Sequence, residues 1–138
     1  MGTDYEQFKV KAYSCWDLYI HNEQFPFIGR CYAWATRENA HKVTDMTRKE
    51  SEELFNIIIP RWDRAVRELY HHHWPNVAIL GNEAPHLHAH LIPRYVEPVA
   101  VHGVTFTDPN PGKNYSPYQK KELPLELLLK IRDEIKEK

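Results

Sequence analysis

The sequence predicts an α+β fold, with an antiparallel sheet of about five strands, a long helix after the second strand and a C-terminal helix. Three observations carry this. Short runs rich in aromatic and branched residues are separated by turn residues. Two stretches repeat apolar residues at helical spacing. The strands sit largely apart from the helices. The 138 residues fit one domain, 1–138, with a core over 13–107 and a C-terminal loop and helix over 108–138.

"CWDLYIHN" (15–22) reads as the first strand and "NEQFPF" (22–27) as a turn. "GRCYAWATR" (29–37) reads as the second strand. Cys31, Ala33 and Ala35 fall on one face, and Tyr32, Trp34 and Thr36 on the other. The short connection pairs the two as a hairpin. Thr47 with Glu50 three residues on forms a capping box that opens the long helix. Phe55, Ile58, Ile59, Trp62, Val66 and Leu69 then form its core stripe, and Pro60 should kink it. "HHHW" (71–74) reads as a solvated helix end. Consecutive helical side chains point about 100° apart, so these three histidines do not converge on a metal. "NVAILGN" (76–82) and "HLHAHLIPRY" (86–95) read as strands, with "VAVHGVTFT" (99–107) as a fifth. "DPNPGKNYSPY" (108–118) is a long loop. Pro124 opens the last helix, whose buried stripe is Leu128, Ile131 and Ile135.

Composition narrows the function classes. A net charge of −1 leaves no strong footprint for DNA or RNA. A local pocket can still be positive and take a small anion. No apolar run approaches the length of a membrane span, and "MGTDYEQFKVKAYS" has no apolar signal core, so the expected location is cytoplasmic. The two cysteines, Cys15 and Cys31, form no C-x-x-C pair and read as reduced thiols.

The chemistry concentrates in "GNEAPHLHAHLIPRY" (81–95). On a strand, His86, His88 and His90 share one face and Leu87, Ala89 and Leu91 the other. Same-face neighbours lie about 6.5–7 Å apart, close enough for three imidazoles to address one small ligand. Three readings follow. His88 can act as a nucleophile towards phosphorus while His86 and His90 hold the phosphate oxygens. The three can bind zinc, with Glu83 as a further candidate ligand. Or they can be a solvated sheet face.

"HLHAHLIPR" resembles the signature of the histidine triad (HIT) superfamily, and "NVAILGNEAPHLHAHLIPRY" resembles the branch in which a Leu-Gly-Asn strand end runs directly into the triad. "FPFIGRCYAWATRENAHKVTDMT" resembles the family's strand, loop and helix start. The resemblance covers most of 13–95. It implies a HIT-like domain, often a homodimer, that hydrolyses or transfers at the α-phosphate of a nucleoside phosphoramidate or a dinucleoside polyphosphate. By resemblance His88 forms a nucleotidyl-histidine intermediate, His86 and His90 orient it, and Asn82 contacts the ribose-phosphate. The implied partner is a small nucleotide, with no specific nucleic acid and no membrane. No cofactor is required, and zinc or magnesium are the ions compatible with the site. Alternatives are a zinc protein using the same strand, or a nucleotide-binding module with little catalysis.

The departures from the family pattern are informative. Where many relatives have Gly-His, this chain has Gly29-Arg30. Arg30 is either a permanent planar cation suited to phosphate or an exposed strand-end residue. The usual glycine-rich loop with its hydroxyl is reduced to "EAP" (83–85). The ribose-binding acid corresponds to Asn22 or Glu23, either of which can be a plain turn residue. His41 falls where relatives often carry His or Arg and is read as capping or orienting its loop. Arg94 reads equally as a fold-supporting ion pair or a substrate contact. The 108–118 loop either folds over the site or packs Tyr115 and Tyr118 on the sheet. A lone Gly112-Lys113 is too little for a phosphate loop.

Overall fold

The computed structural model describes residues 4–138; residues 1–3 of the segment read for a signal core lie outside them. Strands β1 (Lys9–Ala12), β2 (Trp16–Ile20), β3 (Cys31–Ala35), β4 (Trp74–Ala78) and β5 (His88–Arg94) form an antiparallel sheet in the order β1-β2-β3-β5-β4. The expected hairpin is present, with Trp16 opposite Ala35 and Ile20 opposite Cys31.

One face of the sheet is the core face. Trp16, Leu18 and Ile20, Cys31, Ala33 and Ala35, and Leu87, Ala89 and Leu91 cluster there with Leu54, Ile58, Trp62, Val66 and Tyr70 of the long helix. Leu128, Ile131 and Ile135 of the C-terminal helix α3 (Leu125–Lys136) join the same cluster, as their spacing predicts. Register puts Asp17 opposite Trp34, Tyr19 opposite Tyr32, Tyr32 opposite His90 and Trp34 opposite His88. These side chains occupy the other face, away from the helices.

The long helix starts as expected. The Thr47 hydroxyl accepts from the Glu50 amide, and the Glu50 carboxylate accepts from the Thr47 amide. The Glu50 carbonyl receives the Trp16 indole N–H at 3.0 Å, which docks this helix start under β2. The helix is not simply kinked at Pro60. It runs as α1 (Arg48–Glu53), one wide π turn (Leu54–Ile58) and α2 (Ile59–Tyr70). The Ile59 amide reaches back to the Leu54 carbonyl. Pro60 has no amide to offer the ladder, and the wider turn absorbs that break. The widening also shifts the phase of the apolar stripe. Leu54 is fully buried, while Phe55, expected in the core, is 47% exposed.

Three further expectations are corrected. The fifth strand of the main sheet is β1, not 99–107. Residues 99–107 fold instead into a separate hairpin, β6 (Val99–Val101) and β7 (Val104–Phe106). His102 and Gly103, both at positive φ, make its two-residue turn. "HHHW" is not wholly solvated. His71 ends the helix at φ 63, and His72 turns back into the interior, where its Nε2–H donates to Asp63 at 2.6 Å. Burial holds the His72 imidazole below its usual pKa, against the pull of Asp63. Finally, β4 ends at Ala78 rather than 82, so Asn82 belongs to the loop that follows.

Candidate functional site

The triad strand is set from both sides. On one, β3 fixes Ala89 and Leu91 into the core, which forces His88 and His90 to the open face. On the other, the Leu87 amide donates to the Ala40 carbonyl at 3.0 Å, and the His41 Nδ1–H donates to the Pro85 carbonyl at 2.9 Å. His41 therefore pins the short turn that enters the triad, an orienting role consistent with its sequence position.

The three histidines have different surroundings. A carbonyl can only accept, so each contact to one fixes a tautomer. His88 Nδ1 carries a proton and donates to the His86 carbonyl at 2.6 Å. In the neutral ring, Nε2 is then the nitrogen that holds the lone pair. That nitrogen makes no hydrogen bond among the described residues and is not sealed from solvent. His86 precedes β5, and its Nε2–H donates to the Ala35 carbonyl at 2.6 Å. The Trp34 indole lies against both rings, 4.4 Å from His86 and 5.4 Å from His88 between centroids, at 16° and 27°. His90 stands edge-on to His88 at 4.9 Å.

A cationic corner lies beyond His90. Arg30 is 3% exposed, so the exposed-residue reading is excluded. Its guanidinium donates to the Tyr118 hydroxyl at 2.7 Å, and that hydroxyl donates to Glu23 at 2.5 Å. The rings of Tyr115 and Tyr118 pack on the guanidinium at 5.3 and 5.4 Å. The Arg30 Nε is buried without a partner. The 108–118 loop thus does fold back onto the site face, through these two tyrosines. Burial first, and then the Arg30 charge, pushes His90 down to about 4 and His21 down to about 2. His21 lies 6.0 Å from His90 and joins the cluster. Sequence reasoning did not single it out, although it directly follows β2 and precedes Asn22.

Other expected residues fall outside this cluster. Asn22 and Asn82 are both exposed in loops. Glu23, the alternative to Asn22, is the one tied to Arg30 through Tyr118. Arg94 is structural: its guanidinium grips the buried Asp108 carboxylate at 2.7 and 3.0 Å. A cleft of about 470 Å³ lined by His73, Trp74, Arg94 and Lys113 lies at the far end of β5 from His88. Among the described residues, no group of three or more His, Cys, Asp or Glu side chains is placed to hold a metal ion. No helix is long and apolar enough to cross a membrane, among the same residues.

No protein-family profile and no curated protein matches the chain. Solved structures do. A histidine triad protein from Bradyrhizobium japonicum superposes with a TM-score of 0.73 at 16% identity, covering 99% of this chain and 95% of that one. A histidine triad protein from Marinobacter aquaeolei gives 0.69 at 19% identity, covering 98% and 93%. A hypothetical histidine triad nucleotide-binding protein from Sulfolobus tokodaii gives 0.68 at 15% identity, covering 94% and 81%.

Proposed function

From a chain that carries the histidine triad motif on the histidine triad fold, we propose a nucleotide hydrolase or transferase that acts at an α-phosphate through His88. The observation that carries this reading is the fixed tautomer of His88. Its Nδ1–H is committed to a backbone carbonyl, so in the neutral ring it is Nε2 that presents a lone pair to the open face of the sheet. Such an imidazole is ready to attack phosphorus without first losing a proton. In the attack the Nε2–P bond forms and the bond to the leaving group breaks. The leaving group departs with that electron pair and takes up a proton. Water then attacks phosphorus, the Nε2–P bond breaks, and the nucleoside monophosphate leaves with the imidazole restored; another acceptor would instead carry the nucleotidyl group away.

His86 and His90 flank the reacting atom. Burial, and then the permanent positive charge of Arg30, disfavours protonation of His90. A buried guanidinium with no carboxylate bonded directly to it among the described residues suits an anionic ligand, which supports Arg30 as a phosphate-binding residue. The Sulfolobus tokodaii protein of the same fold is described as nucleotide-binding, which agrees. In this reading Asn22 or Glu23 takes the ribose hydroxyls, Asn82 the ribose-phosphate, and the short turn at 83–85 bears on the leaving group. The exposed edge of β4, with Trp74 and Val77 on it and Leu80 just beyond, supports a homodimer formed through that edge. Light scattering in solution gives the mass that tests it.

The functional test is turnover of adenosine phosphoramidate and dinucleoside polyphosphates, followed as nucleoside monophosphate release. His88→Ala should lower turnover by about a thousandfold or more while leaving thermal unfolding near wild type. Unchanged turnover in that variant would remove His88 from the chemistry.

A further inference from the structure

We propose that Trp34 is a positioning residue for the triad, an aromatic plate that stabilises the positive charge His88 acquires when it is phosphorylated. The inference deepens the assignment of His88 as nucleophile and rests on it.

Two geometric facts carry it. Trp34 lies opposite His88 across the β3–β5 ladder, and its indole stacks on His86 at 16° and on His88 at 27°. His86 lies ahead of β5, outside its ladder. The ring is held by the Ala35 carbonyl and by the Trp34 face. A histidine pair at a solvated sheet edge needs neither contact.

Charge accounting gives the plate a chemical role. The form of His88 that attacks is the neutral ring, in which the Nδ1 contact to the His86 carbonyl leaves Nε2 free. Attack by the Nε2 lone pair forms the N–P bond while Nδ1 keeps its proton. The ring is then an imidazolium bearing the phosphoryl group. A cation over an indole face is attracted by the ring quadrupole, and most strongly over Trp. The neutral ground-state ring feels far less of this. The interaction therefore grows along the reaction coordinate, which is the requirement for raising the rate rather than only binding substrate. The adjacent Tyr32 and Tyr19 stack on each other at 5.1 Å rather than on the triad, and His90 meets His88 edge-on, so among the described residues Trp34 is the ring that stacks its face on His88.

The test uses two reagents on the full chain. The first is phosphoramidate, a small phosphorylating agent with no nucleoside. His88 Nε2 attacks its phosphorus, the P–N bond breaks, and ammonia leaves with that electron pair, its three hydrogens already on the nitrogen of the zwitterionic reagent. The second is the nucleotide panel described above. Trp34→Leu should slow His88 labelling by phosphoramidate, and lower kcat on nucleotide, by about 5- to 30-fold, with KM nearly unchanged. Trp34→Phe keeps an aromatic face and should recover most of both rates. Thermal unfolding of each variant is read alongside, and Trp34→Phe decides the matter should the leucine variant fail to fold.

Wild-type labelling rates in both variants would overturn the role of Trp34. So would a loss confined to KM, or a wild-type His88 that phosphoramidate does not label. If labelling is slowed in Trp34→Leu while no nucleotide is turned over by wild type, Trp34 keeps its role and the nucleotide reading fails.

Discussion

Replacing Asp108 by Ala should be among the most damaging single changes in the molecule. Arg94 and Asp108 are 2% and 7% exposed, so their charges meet in the interior. The Asp108 carboxylate accepts from Arg94 Nε at 2.7 Å and Nη2 at 3.0 Å, and from the amides of Tyr95 at 3.3 Å and Asn110 at 3.0 Å. Its removal leaves a guanidinium whose remaining partners are neutral: the Asn76 amide oxygen and the carbonyls of Lys113 and Asn110. Stranding a buried charge in this way costs about 3–5 kcal/mol. For a domain of this size that lowers Tm by roughly 10–15 °C. Urea denaturation of both proteins measures the loss directly, as a shift of midpoint at constant slope. The double change Arg94→Leu with Asp108→Leu removes both charges and should cost less than Asp108→Ala alone. A loss below about 1 kcal/mol in Asp108→Ala would refute the reasoning, since only a solvated pair is worth so little.

Three other outcomes follow from the same structure. Gly29 sits at φ +96, and a Cβ there would approach Val66 Cγ1 at 2.6 Å; Gly29→Ala should cost roughly 2–3 kcal/mol in urea unfolding and displace the adjoining Arg30. His90 and His21 have pKa values lowered in the fold, so below about 6.5 the unfolded chain takes up protons that the folded protein refuses. Stability should be flat above about pH 6.5 and fall as pH drops towards about 4; half-buried rings make the loss by pH 5 about 1–2 kcal/mol, and a urea midpoint unchanged between pH 7 and pH 5 would contradict it. Tyr118→Phe removes the hydroxyl that links Arg30 to Glu23, and should weaken nucleotide binding by calorimetry about threefold to tenfold with little loss of fold, as expected for one charge-assisted hydrogen bond at a partly buried site.

Most of the sheet was legible because its strands alternate cleanly. Cys31, Ala33 and Ala35 against Tyr32 and Trp34 is such a case, and the same period put His88 and His90 on the open face. β1 was missed because "KVKA" offers one buried residue, Val10, between lysines. Those charges suit an edge strand and hide its periodicity. Residues 99–107 were misplaced because a period of two cannot say which sheet a strand joins. The signal that could have split them was His102-Gly103, a two-residue turn inside the run. Phe55 went astray because the helical period assumes an uninterrupted ladder, and Pro60 interrupts it.

The site divides along the same line. Residues within one strand were found from spacing. Contacts made across the chain were not: Arg30 with Tyr118, eighty-eight positions apart, or Trp34 with His86. His72 shows the limit of composition. Three adjacent histidines look alike in sequence, yet a left-handed His71 turns only the middle one inward.

The central claim is that His88 takes up a nucleotidyl group. Its most direct test is intact-mass analysis of the protein quenched during turnover, across adenosine phosphoramidate and a panel of dinucleoside polyphosphates. A mass increase of one nucleoside monophosphate, mapped to His88 and lost in His88→Ala, is the predicted result. Steady release of nucleoside monophosphate with no such adduct on the quenched protein, or an adduct that persists in His88→Ala, would contradict it.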